Sequence, residues 1–191
     1  MTAAGAAPGA PASVTPSDPA DHARGDDPLR FLADAMLVRL ARWLRAIGHD
    51  TTLAAPHEPD VAVARRAAAD GRWLLTRDRV PARDAPADVR VLRLRADAPL
   101  AQLLELNAAL PLGPIALRLT RCLLCNAPLA TGEAGARADA VATRAVPAAL
   151  TPETAVWRCT GCGRWYWEGG HTRRMRAALV RALAAHGRDG R

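Results

Sequence analysis

The chain has 191 residues, with hydrophobic residues at 50% and charged residues at 24%, a balance that suits one globular domain, or one with a small appendage, and excludes disorder over most of the length. The net charge is +7, every basic residue is arginine, and Asp18, Asp21, Asp26 and Asp27 stand against Arg24 in the first 28 residues, so the remainder is more basic than the total and suits a polyanionic partner. No apolar run approaches the roughly 20 residues of a membrane span, and the N-terminus lacks the basic start and greasy stretch of a secretory signal, so a cytoplasmic protein with reduced cysteines and no membrane association is expected.

Residues 1–27 are Ala, Pro, Gly, Ser and Asp without periodicity, too poor in large apolar side chains to offset ordering entropy, and are expected to form a disordered tail. Residues 30–33 read as a short buried strand with Asp34 at its end. Residues 35–47 read as a helix, because Leu37, Leu40, Leu44 and Ile47 share one stripe while Arg39, Arg42 and Arg45 lie opposite. Gly48 suits a left-handed C-terminal cap. Residues 50–53 predict a second strand, 60–69 a second helix opened by Asp60, 73–76 a third strand, 89–94 a fourth and 99–110 a third helix. Alternating strands and helices predict an α/β fold with a mostly parallel sheet. Pro111, Gly113 and Pro114 break that pattern, so a domain boundary is placed there, dividing 28–114 from 115–191. The second unit holds all four cysteines, with strands expected around 141–146 and 155–158, and ends in an Arg-rich helix over 172–185.

Cys122-Leu123-Leu124-Cys125 and Cys159-Thr160-Gly161-Cys162 form two C-x2-C pairs with 33 residues between them. Two residues between cysteines allow a tight knuckle that aims both sulfurs at one ion, and four thiolates satisfy tetrahedral zinc. A redox dithiol is the competing reading, but two matched pairs would be redundant. A catalytic zinc is disfavoured because four thiolates leave no open position. Around the knuckles, Trp157, Trp165, Tyr166 and Trp167 offer stacking surfaces, and Arg164, Arg173, Arg174 and Arg176 offer phosphate contacts. Packing beside the metal is the alternative for the aromatics. His171 is a candidate phosphate or metal contact, against a role in orienting the last helix.

Asp34, Asp60 and Asp78 fall where parallel α/β sheets build their sites, at the carboxyl edge. Three carboxylates suit magnesium or manganese, which take hard oxygen ligands. Each acid has another explanation: Asp34 and Asp60 precede helices and suit N-caps, and Asp78 lies in a turn. Arg77 and Arg79 flank Asp78 as candidate phosphate contacts, or as a solvated turn.

The run from Phe31 through Asp34 to Asp50, the segment Leu74-Leu75-Thr76-Arg77-Asp78-Arg79, the knuckle Arg121-Cys122-Leu123-Leu124-Cys125-Asn126 and the stretch from Cys159 through Trp165-Tyr166-Trp167-Glu168-Gly169-Gly170-His171 together resemble the Mut-seven C-terminal RNase domain family. The resemblance covers about residues 29–180. It implies a PIN-like three-layer α/β/α sandwich followed by a small zinc ribbon and a C-terminal helix. It also implies magnesium- or manganese-dependent hydrolysis of RNA, leaving 3′-hydroxyl and 5′-phosphate ends, with structural zinc in a ribbon that aids RNA binding. By position, Asp34 and Asp78 match the family's acidic motifs, and Asp60 the acid that opens the helix before the third strand. The chain departs from the family at Val80, where another acid is common; Asp84 is the nearest replacement. The family's Gly-Ser-His is here Gly169-Gly170-His171. The missing acid motivates an alternative, a non-catalytic RNA- or ribosome-binding module.

Overall fold

The structure, a computed structural model, describes residues 29–78, 85–131, 136–143, 146–147, 150 and 154–189. The expected tail at 1–27, and Arg79, Val80 and Asp84, lie outside the described residues.

Four short strands form a parallel sheet in the order β2-β1-β3-β4: β1 Phe31–Ala33, β2 Thr51–Leu53, β3 Trp73–Thr76 and β4 Val91–Arg93. The three residues of β1 are apolar and fully buried, as a central parallel strand covered on both faces requires. Successive side chains point to opposite faces. Phe31, Ala33 and Leu75 therefore join one core, with Leu40 and Leu44 of helix α1 (Val38–Ala46) and Leu103 and Leu106 of α3 (Pro99–Ala109). Leu32 and Leu74 join the other, with Val63, Ala64 and Ala67 of α2 (Asp60–Ala69). Helices thus cover both faces, as the alternating pattern requires.

The first helix differs in detail from the periodicity. Its opening, Ala35–Leu37, is a single 3-10 turn. Asp34 forms its N-cap, with the side chain accepting from the Ala35 N–H. Gly48 adopts φ +104 at the helix end, as the left-handed cap predicts. An added Cβ there would meet the Arg118 side chain at 3.1 Å.

The second half needs a larger correction. Among the described residues, the strand expected around 141–146 is not seen: Val141 and Ala142 end helix α4 (Ala136–Ala142), and 144 and 145 lie outside the described residues. The alanine-rich run 136–142 favours helix, and the lone β-branched Val141 does not override it. The other expected strand is present as β6 Val156–Cys159. It forms the middle of an antiparallel sheet with β5 Leu129–Thr131 and β7 Trp165–Trp167. The last helix, α5 (Gly170–Asp189), is longer at both ends than expected.

The chain beyond residue 114 stays close to the first core. Arg118 and Leu119 donate their N–H groups to the Ala46 carbonyl. Leu179 and Leu183 of α5 pack into the core that holds Phe31, and α5 lies against α3.

Candidate functional site

The strand order reverses between β1 and β3. β1 leads through α1 to β2 on one side, and the chain returns through α2 to β3 on the other. A crevice opens at the carboxyl ends of two such strands, and open α/β sheets bind ligands there. Asp34 follows β1 directly, and Asp78 lies two residues beyond β3. One side chain links them: the Thr76 hydroxyl donates to Asp34 Oδ2 at 3.2 Å and accepts from the Asp78 N–H at 3.1 Å. The backbone joins the strands as well, through Asp34 N–H to the Leu75 carbonyl at 2.9 Å. Asp34 Oδ1 accepts from Ala35 N–H at 2.6 Å, so the capping explanation describes one of its two oxygens.

Asp60 is the first residue of α2, with Pro59 as N-cap. Because α2 starts from the loop after β2, Asp60 belongs to the same sheet edge. Asp60 and Asp78 are exposed and Asp34 is half-buried. The three carboxylates are not gathered within 4.8 Å of one another; among the described residues only the four cysteines form such a group of metal-type ligands. Arg77 pairs with Asp97 instead of pointing its charge at these acids.

The cysteine cluster is assembled. Its four sulfurs lie within 4.8 Å of one another, with Cys122 to Cys162 at 3.7 Å and Cys125 to Cys159 at 3.3 Å. In each knuckle the second cysteine's N–H points at the first sulfur, Cys125 to Cys122 at 3.4 Å and Cys162 to Cys159 at 3.3 Å. The Tyr166 hydroxyl accepts from Leu123 N–H and lies 3.1 Å from Cys122 Sγ. Burial opposes ionisation of Cys122, but the Cys125 and Leu124 amides and the Tyr166 hydroxyl outweigh it and bring the thiol down to about 6. Burial, together with the neighbouring sulfurs, pushes Cys125 up to about 12. One site favouring a thiolate beside three close sulfurs is the donor set of a soft tetrahedral cation, and it could bind zinc. Gly161 is required in the second knuckle, where a Cβ would lie 2.8 Å from the Ala127 Cβ.

Arg45, expected on the arginine side of α1 but buried, together with Asn126 and Asp50, which the sequence presents only as members of longer runs, fastens this cluster to the sheet. Arg45, only 3% exposed, donates to the Thr51 carbonyl at 2.8 Å and to the Leu123 and Leu124 carbonyls of the first knuckle at 2.9 and 2.8 Å. Asn126 adopts φ 71, accepts from Thr51 N–H at 3.0 Å and donates to Asp50 Oδ1 at 2.7 Å. Asp50 also receives Arg72 at 2.8 Å. The available signal was slight: one of three arginines spaced along a helix, and an Asn directly after a C-x2-C pair.

A groove of about 540 Å3 opens between β7 and the start of α5, lined by Trp165, Trp167, His171, Arg42, Arg164 and Arg174 among others. Arg173 is exposed on α5. Arg176 pairs with Glu168, and Trp157 lies opposite Tyr166 in the sheet.

A parallel α/β sheet with acids at its switch point, joined to a four-cysteine cluster that could bind zinc, defines the class of α/β protein. The chain belongs to the Mut7-C RNAse domain family, whose model matches residues 29–179. No curated protein and no solved structure matches it. Among the described residues no helix is long and apolar enough to cross a membrane.

Proposed function

We propose that the protein is a metal-dependent ribonuclease with a PIN-like α/β/α domain over 28–114 and a zinc ribbon with its C-terminal helix over 115–191. The observation that carries this reading is the placement of Asp34 and Asp78 at the ends of the two strands flanking the switch point, tied through one hydroxyl. Family membership supports RNA as substrate.

Asp34, Asp60 and Asp78 would hold magnesium or manganese; their oxygens are the donors such ions prefer. When bound, such an ion supplies Lewis-acid activation of water and charge stabilisation at the phosphodiester. Thr76 fixes the orientation of Asp34 by donating to Oδ2. Asp60 and Asp78, both exposed, are the arms free to close on a bound ion. Cys122, Cys125, Cys159 and Cys162 would hold zinc as a structural ion, and Arg164, Trp165, Arg173 and Arg174 would bind RNA. Arg77, committed to Asp97, is the weakest member of the RNA-binding set, and Arg79 completes it on sequence grounds.

The test is Asp34→Asn and Asp78→Asn, assayed on a mixed RNA pool with manganese after thermal unfolding has verified the fold. Each substitution is expected to reduce cleavage on the order of a hundredfold or more, because the ion contributes several kcal/mol to the reaction. Equal cleavage by parent and variants overturns the reading. The separation of the three carboxylates favours one alternative, a non-catalytic RNA-binding module, which predicts salt-sensitive binding that survives both substitutions.

A further inference from the structure

The groove beside β7 has a composition that zinc binding does not explain. Trp165 and Trp167 project to the same side of β7, because alternate residues share a face. Tyr166 also lines the groove, and its hydroxyl reaches Cys122. Each tryptophan is held by a neighbour. The Arg158 guanidinium covers Trp165 at 5.5 Å from the ring centroid. Gly169 lies under the edge of the Trp167 indole so closely that a Cβ would fall 2.7 Å from Nε1. The Thr172 hydroxyl donates to the Trp167 carbonyl at 3.1 Å and fixes the start of α5 against the strand. Both indoles remain partly exposed.

The charged side chains that line the groove carry one sign. Arg42, Arg164, Arg174 and His171 line the groove, and no carboxylate does. Among the described residues none of these three arginines forms an ion pair, whereas Arg30, Arg66, Arg72, Arg77, Arg121 and Arg176 all do. A second concavity of about 610 Å3 shares Leu124, Arg164, Trp165 and Trp167 and extends over Cys125 and Cys162, so the cleft continues past a single residue's reach. At its other side, Arg42 and Arg39 are exposed on α1 one turn apart and lead back to Asp34. Arg42 is one turn into α1, and Asp34 caps the 3-10 turn that precedes that helix, so the rise between them is roughly 13 Å.

We propose that this groove is a binding site for single-stranded RNA, in which a base stacks on the Trp165–Trp167 surface and phosphates meet Arg42, Arg164 and Arg174, with Arg39 and Arg42 leading the strand toward Asp34. The assignment of the leading strand to a cleavage site rests on the ribonuclease reading; the groove itself does not. Aromatic rings accept any unpaired base but not a paired one, whose faces are already stacked. The site therefore selects strand state and not sequence.

The experiment is fluorescence anisotropy of the full chain, zinc-loaded and without added magnesium or manganese, using a labelled single-stranded RNA decamer, the matching duplex and a mononucleotide. The parent is expected to prefer the single strand, and Arg42→Glu with Arg174→Glu to weaken it at least tenfold. Arg65→Glu, exposed on α2 over the opposite face of the sheet, makes the same type of charge change away from the groove and is expected to have a smaller effect. Replacing Arg42 and Arg174 by Ala is expected to lower the salt slope of binding by roughly 0.7 per arginine, a change that loss of structure alone does not produce. Duplex binding equal to single-strand binding, mononucleotide binding as tight as the decamer, or an Arg65→Glu effect equal to the groove variants overturns the proposal. Groove-dependent binding without manganese-dependent cleavage sinks the ribonuclease reading and leaves the groove standing. Cleavage indifferent to the groove does the reverse.

Discussion

Arg45 illustrates how one side chain can connect two sites. A buried guanidinium costs several kcal/mol of desolvation unless its donors are used, and here they are spent on three backbone carbonyls, two of them in the first knuckle. Removing it leaves those carbonyls without their donor, so Arg45→Ala is expected to cost about 3 kcal/mol in urea unfolding and to weaken zinc retention against a chelator. Asp50 adds a pH dependence. Burial raises its carboxyl, but the Arg72 and Asn126 bonds outweigh that and hold it below the usual carboxylate range. Its stabilisation is therefore complete above the unfolded value of about 3.9 and disappears as pH falls through the lower folded value. The stability difference between parent and Asp50→Asn is expected to be present at about pH 6 and to shrink steadily below about pH 4.

At the scale of elements, strand β2 is the edge of the parallel sheet, and its Thr51 N–H finds its acceptor in the Asn126 side chain. An unpaired edge donor is an exposed pairing site, so the turn after the first knuckle also finishes the sheet. Asn126→Gly keeps the left-handed turn and deletes both side-chain bonds; a loss of about 1–3 kcal/mol is expected, part of it from the greater freedom of glycine in the unfolded chain. Asn126→Ala is expected to lose more, because the φ of 71 is then strained as well. The short strands were legible because β1 and β3 are apolar runs between Asp34, Gly71 and Asp78. The α4 region misled because periodicity over seven residues cannot separate helix from strand when alanine dominates. β5 and β7 were missed for a different reason: three-residue strands carry no period, and Trp165-Tyr166-Trp167 reads equally as a stacking patch.

For the whole molecule, the final helix and the first sheet share a core. Leu179, 3% exposed on the final helix, packs in the same core as Phe31. Leu179→Ala is expected to cost about 3 kcal/mol and to lower the melting temperature of the entire chain. Zinc removal by a strong chelator is expected to expose the amides of 120–131 and 154–167 to hydrogen exchange. The parallel sheet should remain folded but melt at a lower temperature, because Arg45 and Asn126 then grip a loosened loop. Full protection of the cysteine sheet after chelation would mean that the cluster does not need the ion.

The sequence by itself determined the alternation of strands and helices, the two cysteine pairs, and the positions of Asp34 and Asp78 after their strands, because each depends on neighbours within a few residues. Only the tertiary structure decided that β1 and β3 are adjacent, that Thr76 links the acids which follow them, and that Arg45, Asn126 and Asp50 join the cysteine cluster to the sheet. Those contacts close loops of up to 79 residues, and no local pattern encodes a partner that distant. The same limit hid the groove: its arginines and tryptophans come from α1, the turn after the second knuckle, β7 and α5, and only packing brings them to one cleft.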